Sequence, residues 1–276
     1  MKDEIERLIK KKQKPLEERI KDRDLFEVVD EVFDYSTVMT IIELYRRRVL
    51  KRISGVISAG KESKVYLGYD FANNPVAVKI YLTSSAEFKK GRYKYILGDP
   101  RFEGLKPKDT RALVIAWARK EYRNLMRMYE AGVKVPKPIT CLNNVLVMEF
   151  VGEDRTRYPL LVEVYRELSK EELVKVYHLV IEELEKIVCK AKLVHGDLSE
   201  YNIVVKFLDE SNIDIAIIDV SQAVDLNHPN ALEFLTRDIR NIVQFFEKEV
   251  GISVDKAEEL LGRLMLCLEK KQVSLS

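Results

Sequence analysis

Cysteine is scarce in this chain of 276 residues: Cys141, Cys189 and Cys267 stand far apart and are odd in number. That pattern offers neither a disulfide framework nor a zinc site, and only three histidines accompany it. Long apolar runs are missing too. No stretch approaches the length of a membrane span, and the N-terminal MKDEIERLIKKKQK is charged throughout, without the apolar centre of a signal peptide. Charge of one sign is also lacking. With 47 Lys and Arg against 45 Asp and Glu, the net +2 is too small to imply nucleic acid by itself. Glutamine occurs only four times beside abundant Lys and Glu, a lean towards thermophile composition. These absences predict a reduced, soluble, cytoplasmic protein with no membrane partner. A 46% hydrophobic chain of this length can bury a core and form two lobes.

What is present concentrates in two stretches. Residues 193–205 read LVHGDLSEYNIVV: an apolar approach ends in His195-Gly196-Asp197, Asn202 follows five residues later, and an apolar strand closes the loop. Further on, IAIIDVSQAV is a β-type run that delivers Asp219 at its end. Phosphoryl transfer from ATP needs such a set. One carboxylate (Asp197) accepts a hydroxyl proton, while an Asn and an Asp (Asn202, Asp219) hold magnesium. All are hard oxygen ligands, as that cation requires. Taken singly, HGD is a turn and Asp219 a strand cap; the order, the spacing and the flanking strands favour the phosphotransferase reading.

In chain order, residues 1–23 read as a polar, basic helix or arm interrupted by Pro15. Residues 37–50 have helical spacing and end in the basic cluster Arg46, Arg47, Arg48, Lys51 and Arg52. That cluster is either a phosphate-binding patch or a solvated helix face. Residues 53–58, 63–69 and 75–81 read as three strands. The first two, joined by a turn containing Gly60 and Lys61 in SAGKESKVY, suit a phosphate cover made from backbone N–H groups. Ser58, Ser63 and Val65 flank that turn. The third strand carries Val76-Ala77-Val78-Lys79, close to the VAIK strand whose lysine contacts the α- and β-phosphates. A lysine in such apolar company needs a carboxylate.

Residues 82–107 read as an irregular loop, and a helix runs from Lys108 to Ala131 with Gly132 as its C′ residue. Glu121 lies on the apolar stripe of that helix and is the expected partner of Lys79. VLVMEF, residues 145–150, reads as a buried strand leading to a hinge. Glu149 and Val151 are candidates for adenine contacts through their backbones, and Met148 for the pocket border. Ser169-Lys170-Glu171-Glu172 is a capping box opening a long helix to about Lys192. Helices are expected near 231–249 and 255–271.

With those residues in hand, the chain resembles the RIO family of atypical serine/threonine protein kinases, most like its first, Rio1-like subfamily in an archaeal form. SAGKESKVY, VAVKIY, WARKEYRNL, VHGDLSEYNIVV, IDVSQAV and HPNALEFLTRDI carry the resemblance over roughly residues 50–245. It implies an α+β, two-lobed protein-kinase-like fold with a β-rich N-lobe (53–151) and a helical C-lobe (152–276) behind an N-terminal helical extension (1–52). The implied cofactors are ATP and Mg2+, or Mn2+ in its place. Lys79 would bind the phosphates, Asp197 would be the base, and Asn202 and Asp219 the metal ligands. Asp219 would also accept phosphate as an aspartyl-phosphate. The implied biology is maturation of the small ribosomal subunit, on a pre-ribosomal particle of protein and rRNA.

Two departures from ordinary protein kinases matter. Gly196 replaces the HRD arginine, and the short segment after Asp219 lacks an APE-like stretch, so the activation loop and peptide platform are expected to be missing. An ATP-hydrolysing assembly and release factor is therefore the alternative to a protein kinase. An aminoglycoside- or choline-type kinase also has an HGD…N loop, but IDVSQAV and HPNALEFL argue against it.

Overall fold

The structure, a computed structural model, describes residues 33–83, 94–96, 98–99, 110–209 and 212–269. The arm expected over 1–23, most of the loop over 82–107 and the helix start at Lys108 lie outside the described residues. The chain forms two compact units, one from residues 1–85 and 139–150, the other from 86–138 and 151–276.

In the first unit, Asp34 caps helix α1 (Tyr35–Arg46) by accepting the Thr37 N–H at 2.7 Å. Burial would raise the Asp34 carboxyl, but hydrogen bonds from Thr83, Thr37 and Ser36 outweigh it and bring the pKa down to about 2. The helix stops short of the expected residue 50 because Arg48 turns left-handed (φ 59) and the Val49 N–H folds back to the Leu44 carbonyl. The basic cluster sits on this turn and is largely engaged locally. Arg47 pairs with Glu43, Arg48 lies over the Phe71 ring, Arg52 over Tyr69, and Lys51 donates to Asn73.

Five strands follow: β1 (Arg52–Ala59), β2 (Ser63–Tyr69), β3 (Pro75–Tyr81), β4 (Pro138–Leu142) and β5 (Val145–Glu149), in the order β1-β2-β3-β5-β4. Alternation sorts their side chains. Val76, Val78 and Ile80, with Tyr66, Val145 and Val147, pack into one buried cluster with Val38, Ile41 and Leu44 of α1. Each such burial is worth about 1.5–3 kcal/mol before entropy is counted. The β4–β5 turn is tied to the helix as well: Asn144 donates to Thr37 and to the Tyr81 carbonyl, and Asn143 to Thr40.

The second unit opens with α2 (Thr110–Glu130), which ends at Gly132 (φ 76) with the Val133 N–H on the Met128 carbonyl. Helix α2 belongs to this unit. A short hairpin, β6 (Gly152–Glu153) with β7 (Thr156–Arg157), and a single-turn helix α3 (Leu161–Val164) lead to α4 (Lys170–Glu185). The Ser169/Glu172 capping box is present in α4, and i→i+5 bonding extends the helix through Lys190. Next come β8 (Leu193–Val194), the hairpin β9 (Ile203–Phe207) and β10 (Ile213–Ile217), β11 (Val224–Asp225) paired with β8, then α5 (Ala231–Gln244) and α6 (Ala257–Glu269). Between Asp219 and α5 there is one 3-10 turn and two-residue β11, with no helical platform. No described helix is long and apolar enough to cross a membrane.

The cysteine expectation is overturned. Cys189, at the end of the long α4 extension, and Cys267 on α6 form a disulfide with Cα atoms 5.9 Å apart. Only tertiary packing reveals it, since 78 residues separate the two in sequence. Cys141 is free. Closing so long a loop restricts the unfolded chain, so Cys189→Ser is expected to cost about 2–4 kcal/mol. The urea midpoint without reductant should fall accordingly, and the difference should vanish in excess reductant. Thiol titration of the unreduced, denatured chain should find one thiol; three would refute the bond.

Candidate active site

Strand β8 carries the fully buried Leu193 and Val194 into His195, which is itself buried. Burial lowers the His195 pKa to about 4, outweighing the Ile218 carbonyl that would raise it, so the ring is neutral near pH 7. Its Nε2 lies 3.2 Å from that carbonyl, to which only a protonated Nε2 can donate. Gly196 follows with φ 78, and a Cβ built there would meet the Gln222 carbonyl at 3.1 Å. This is a physical reason for glycine in place of the arginine of an HRD motif. The left-handed backbone and the close approach both exclude a larger residue.

The backbone on either side of Asp197 is held by one buried carboxylate. Asp238 on α5 accepts the Gly196 N–H at 2.7 Å and the Leu198 N–H at 3.0 Å, on separate oxygens. Burial pushes its pKa up to about 7, opposed by those two N–H bonds and by Arg237. Two separately engaged oxygens are the arrangement of an ionised carboxylate. Arg237 donates to the Gly196 carbonyl and to the Tyr95 hydroxyl. Asp197 is thus presented on a backbone pinned from both sides. Asn202, on the 3-10 turn Glu200–Asn202, donates its Nδ2 to the Asp197 carbonyl at 2.8 Å.

Asp219 stands at the end of β10 in the left-handed region (φ 53, ψ 62) with an exposed side chain. A non-glycine residue pays about 1–2 kcal/mol for this conformation. The Ile218 N–H bonds the Asn202 carbonyl (2.9 Å), which ties the two loops together one residue before Asp219. Ser221 donates to Asp219 Oδ1 (2.8 Å), and Gln222 donates to Asp197 Oδ2 (2.7 Å). The structure therefore brings Asp197, Asn202 and Asp219 into a single hydrogen-bonded arrangement.

Helix α2 supplies the support. Lys120, fully buried, donates to the Ser221 carbonyl (2.9 Å) and the Ala223 carbonyl (2.5 Å). Asn124, also fully buried, donates to the Val220 and Ala223 carbonyls, and Arg127 pairs with Asp225 at 2.6 Å. These bonds serve the carbonyls of a 3-10 turn whose own backbone bond runs from the Ala223 N–H to the Val220 carbonyl. Glu121 is buried on the same helix.

In the first unit, cross-strand register puts the expected nucleotide residues on one sheet face. Ser58 pairs with Val65, Val65 with Lys79, and Ala77 with Met148, while Ser63 pairs with Tyr81 two residues beyond Lys79. This is the face opposite the one covered by α1. Lys79 is buried, its ammonium 5.3 Å from the Tyr81 ring centre. Gly60 and Lys61 lie in the β1–β2 turn, where the Gly60 N–H bonds the Ser63 carbonyl. Glu149 ends β5 opposite Val76. In the second unit, the Val151 carbonyl accepts the Tyr158 N–H at 3.2 Å.

The chain is similar to known proteins. A RIO domain spans residues 64–259. The RIO-type serine/threonine-protein kinase Rio1 of Haloferax volcanii is 42% identical over 254 residues, covering 90% of this chain and 82% of its own length. The chain belongs to the RIO family of atypical protein kinases. Serine/threonine-protein kinase RIO1 of Homo sapiens is 39% identical over 88% of this chain, though the match spans only 41% of the human protein. Two crystal structures of the Rio2 kinase from Chaetomium thermophilum, one an ADP/Mg2+-phosphoaspartate complex, superpose with TM-scores of 0.63 and 0.62 at 24% identity. They cover 85% and 86% of this chain, and 70% and 73% of theirs. The fold is the α+β, two-lobed kinase-like fold of that family.

Several residues of this RIO site escape a reading of the sequence. Asp238 and Arg237 sit inside LTRDI, where an Arg-Asp pair on a helix looks like a surface ion pair. Lys120 and Asn124 lie in WARKEYRNL, and a signal was present there, because both fall beside Glu121 on the buried stripe. Ser221 and Gln222 sit in the quoted IDVSQAV but had no assigned task. Asp238→Ala leaves two buried N–H groups without an acceptor, at about 1–3 kcal/mol each. Urea denaturation should show the loss, and phosphoryl transfer by the folded fraction should drop at least about tenfold. Unchanged activity and stability would show that the loop holds itself.

Proposed function

We propose that the protein transfers the γ-phosphoryl group of ATP to a serine or threonine hydroxyl, its own or another protein's, and also hydrolyses ATP through a phosphorylated Asp219. One observation carries this reading. Asp197, Asn202 and the exposed Asp219 stand on two hydrogen-bonded loops whose backbones are anchored from α2 and α5. In the hydroxyl reaction, the substrate oxygen attacks the γ-phosphorus, its proton passes to Asp197, and the bond to the ADP oxygen breaks. In the hydrolytic reaction an Asp219 oxygen is the nucleophile, ADP leaves, and water then cleaves the acyl phosphate.

The donor set suits Mg2+, with Mn2+ as the alternative hard cation. Asp219 offers an exposed carboxylate. Asn202 spends its NH2 on the Asp197 carbonyl, which turns its amide oxygen to other use. Among the described residues no three His, Cys, Asp or Glu side chains gather into a metal cage. A cation sharing its ligands with phosphates and water fits that donor set. When bound, the cation neutralises charge on the phosphates. Lys79 would place the α- and β-phosphates, with the β1–β2 turn (Ser58, Gly60, Lys61, Ser63), Val65, Ala77 and Met148 lining the nucleotide, and with Glu149 and Val151 contacting adenine.

A second reading, an ATPase that times its own release from a pre-ribosomal particle, is favoured by the short segment 220–230, which offers no peptide platform. The RIO resemblance supports a small-subunit precursor of protein and rRNA as that partner, in the cytoplasm.

Asp197→Asn should lower transfer to hydroxyls about 10²–10⁴-fold. Label from γ-labelled ATP that is labile to hydroxylamine should disappear in Asp219→Asn; its persistence there would remove Asp219 as acceptor. Dominant labile label with steady phosphate release favours the ATPase reading, and stable label on Ser or Thr favours the kinase. Lys79→Ala should weaken ATP affinity, measured by calorimetry in magnesium. An unchanged affinity would remove Lys79 from the nucleotide site.

A further inference from the structure

Asp197 has its backbone fixed by others, but its side chain needs its own restraint. A carboxylate on a single Cβ can turn about two bonds, and a base must point one oxygen at the reacting hydroxyl. Gln222 donates from Nε2 to Asp197 Oδ2 at 2.7 Å. Facing a carboxylate, only the NH2 end of the amide can make this bond, so the orientation of the amide is chemically determined.

The position of Gln222 is itself determined. It ends the 3-10 turn Val220–Gln222, whose carbonyls and those just after it are bound by the fully buried Lys120 and Asn124. Its own carbonyl lies against Gly196, one residue before Asp197. The same turn carries Ser221, which holds Asp219. Neighbouring side chains of one rigid turn thus grip the two carboxylates of the site.

We propose that Gln222 is a positioning residue for Asp197, fixing its carboxylate through Oδ2, and that it serves hydroxyl transfer selectively. A carboxylate nucleophile such as Asp219 carries no proton to remove, so formation of the acyl phosphate does not need an oriented base. This inference rests on the reading of Asp197 as base.

The test uses the full chain, γ-labelled ATP and magnesium. Hydroxylamine-stable label is followed as transfer to Ser or Thr, and labile label in a single turnover as acyl phosphate. Gln222→Ala should lower the saturated rate of stable labelling about 10- to 100-fold. The ATP concentration for half-maximal rate should stay within about twofold, and labile labelling should keep its wild-type rate. Gln222→Glu, which preserves shape but replaces the donor with an acceptor, should be at least as impaired at an unchanged melting temperature. It decides the matter if the alanine variant fails to fold. Adding Gln222→Ala to Asp197→Asn should cost nothing further, because the residue acts through Asp197.

A dead Asp197→Asn beside a Gln222→Glu variant of normal stable labelling would overturn the role of Gln222 and leave the base in place. Additive losses in the double variant, or equal losses of both labels, would also overturn it. Normal stable labelling by Asp197→Asn would sink the base assignment together with this inference.

Discussion

Asp238, fully buried on α5, accepts the N–H groups that flank Asp197 on both sides. Everything proposed for the catalytic loop depends on that pair of bonds. The loop leaves β8 through a left-handed glycine and has no ladder of its own between His195 and Asn202. An unpaired carboxylate in such a place would be driven to its neutral form by desolvation. Here the two N–H donors and the adjacent Arg237 favour the charge. The carboxylate and the loop stabilise each other, which makes the arrangement stiff and costly to break.

A matching device works with opposite polarity on the second loop. Residues 220–223 present carbonyls rather than N–H groups, and the buried Lys120 and Asn124 donate to them. Asp219 pays for its left-handed backbone at the edge of this turn. Strain of this kind persists only when the surroundings over-determine it, and four side-chain bonds from α2 do so. One helix supplies an acceptor for backbone donors, another supplies donors for backbone acceptors, and the hydrogen-bonded loops between them carry Asp197, Asn202 and Asp219.

The parts legible in the sequence were those whose chemistry is local. HGD…N and the aspartate ending an apolar strand are close enough in sequence to be seen as sets, and VAVK announces a lysine in apolar company. Strand alternation over 75–81 and 145–150 and the Ser169 capping box likewise need only neighbours. Glu121 was visible as an anomaly on an apolar stripe and Lys120 shares that stripe, but the carbonyls Lys120 serves lie 101 and 103 residues away and no local reading pairs them. Helix α1 was expected to run to residue 50; the left-handed turn at Arg48, which no glycine marked, stops it at Arg46. The Cys189–Cys267 bond reverses the expectation of three unpaired thiols.

By itself the sequence determined the alternation of the sheet and the capped and amphipathic helices, and it nominated the groups proposed for the chemistry, since each of these depends on residues a few positions apart. Tertiary structure alone decided which buried polar side chain serves which loop. Asp238, Lys120 and Asn124 are ordinary residues of amphipathic helices until the fold brings them the backbone groups they bond, and Gln222 is an ordinary turn residue until it meets the Asp197 carboxylate. The physical reason is that a buried hydrogen bond is specified by two ends, and a sequence read locally shows one end at a time.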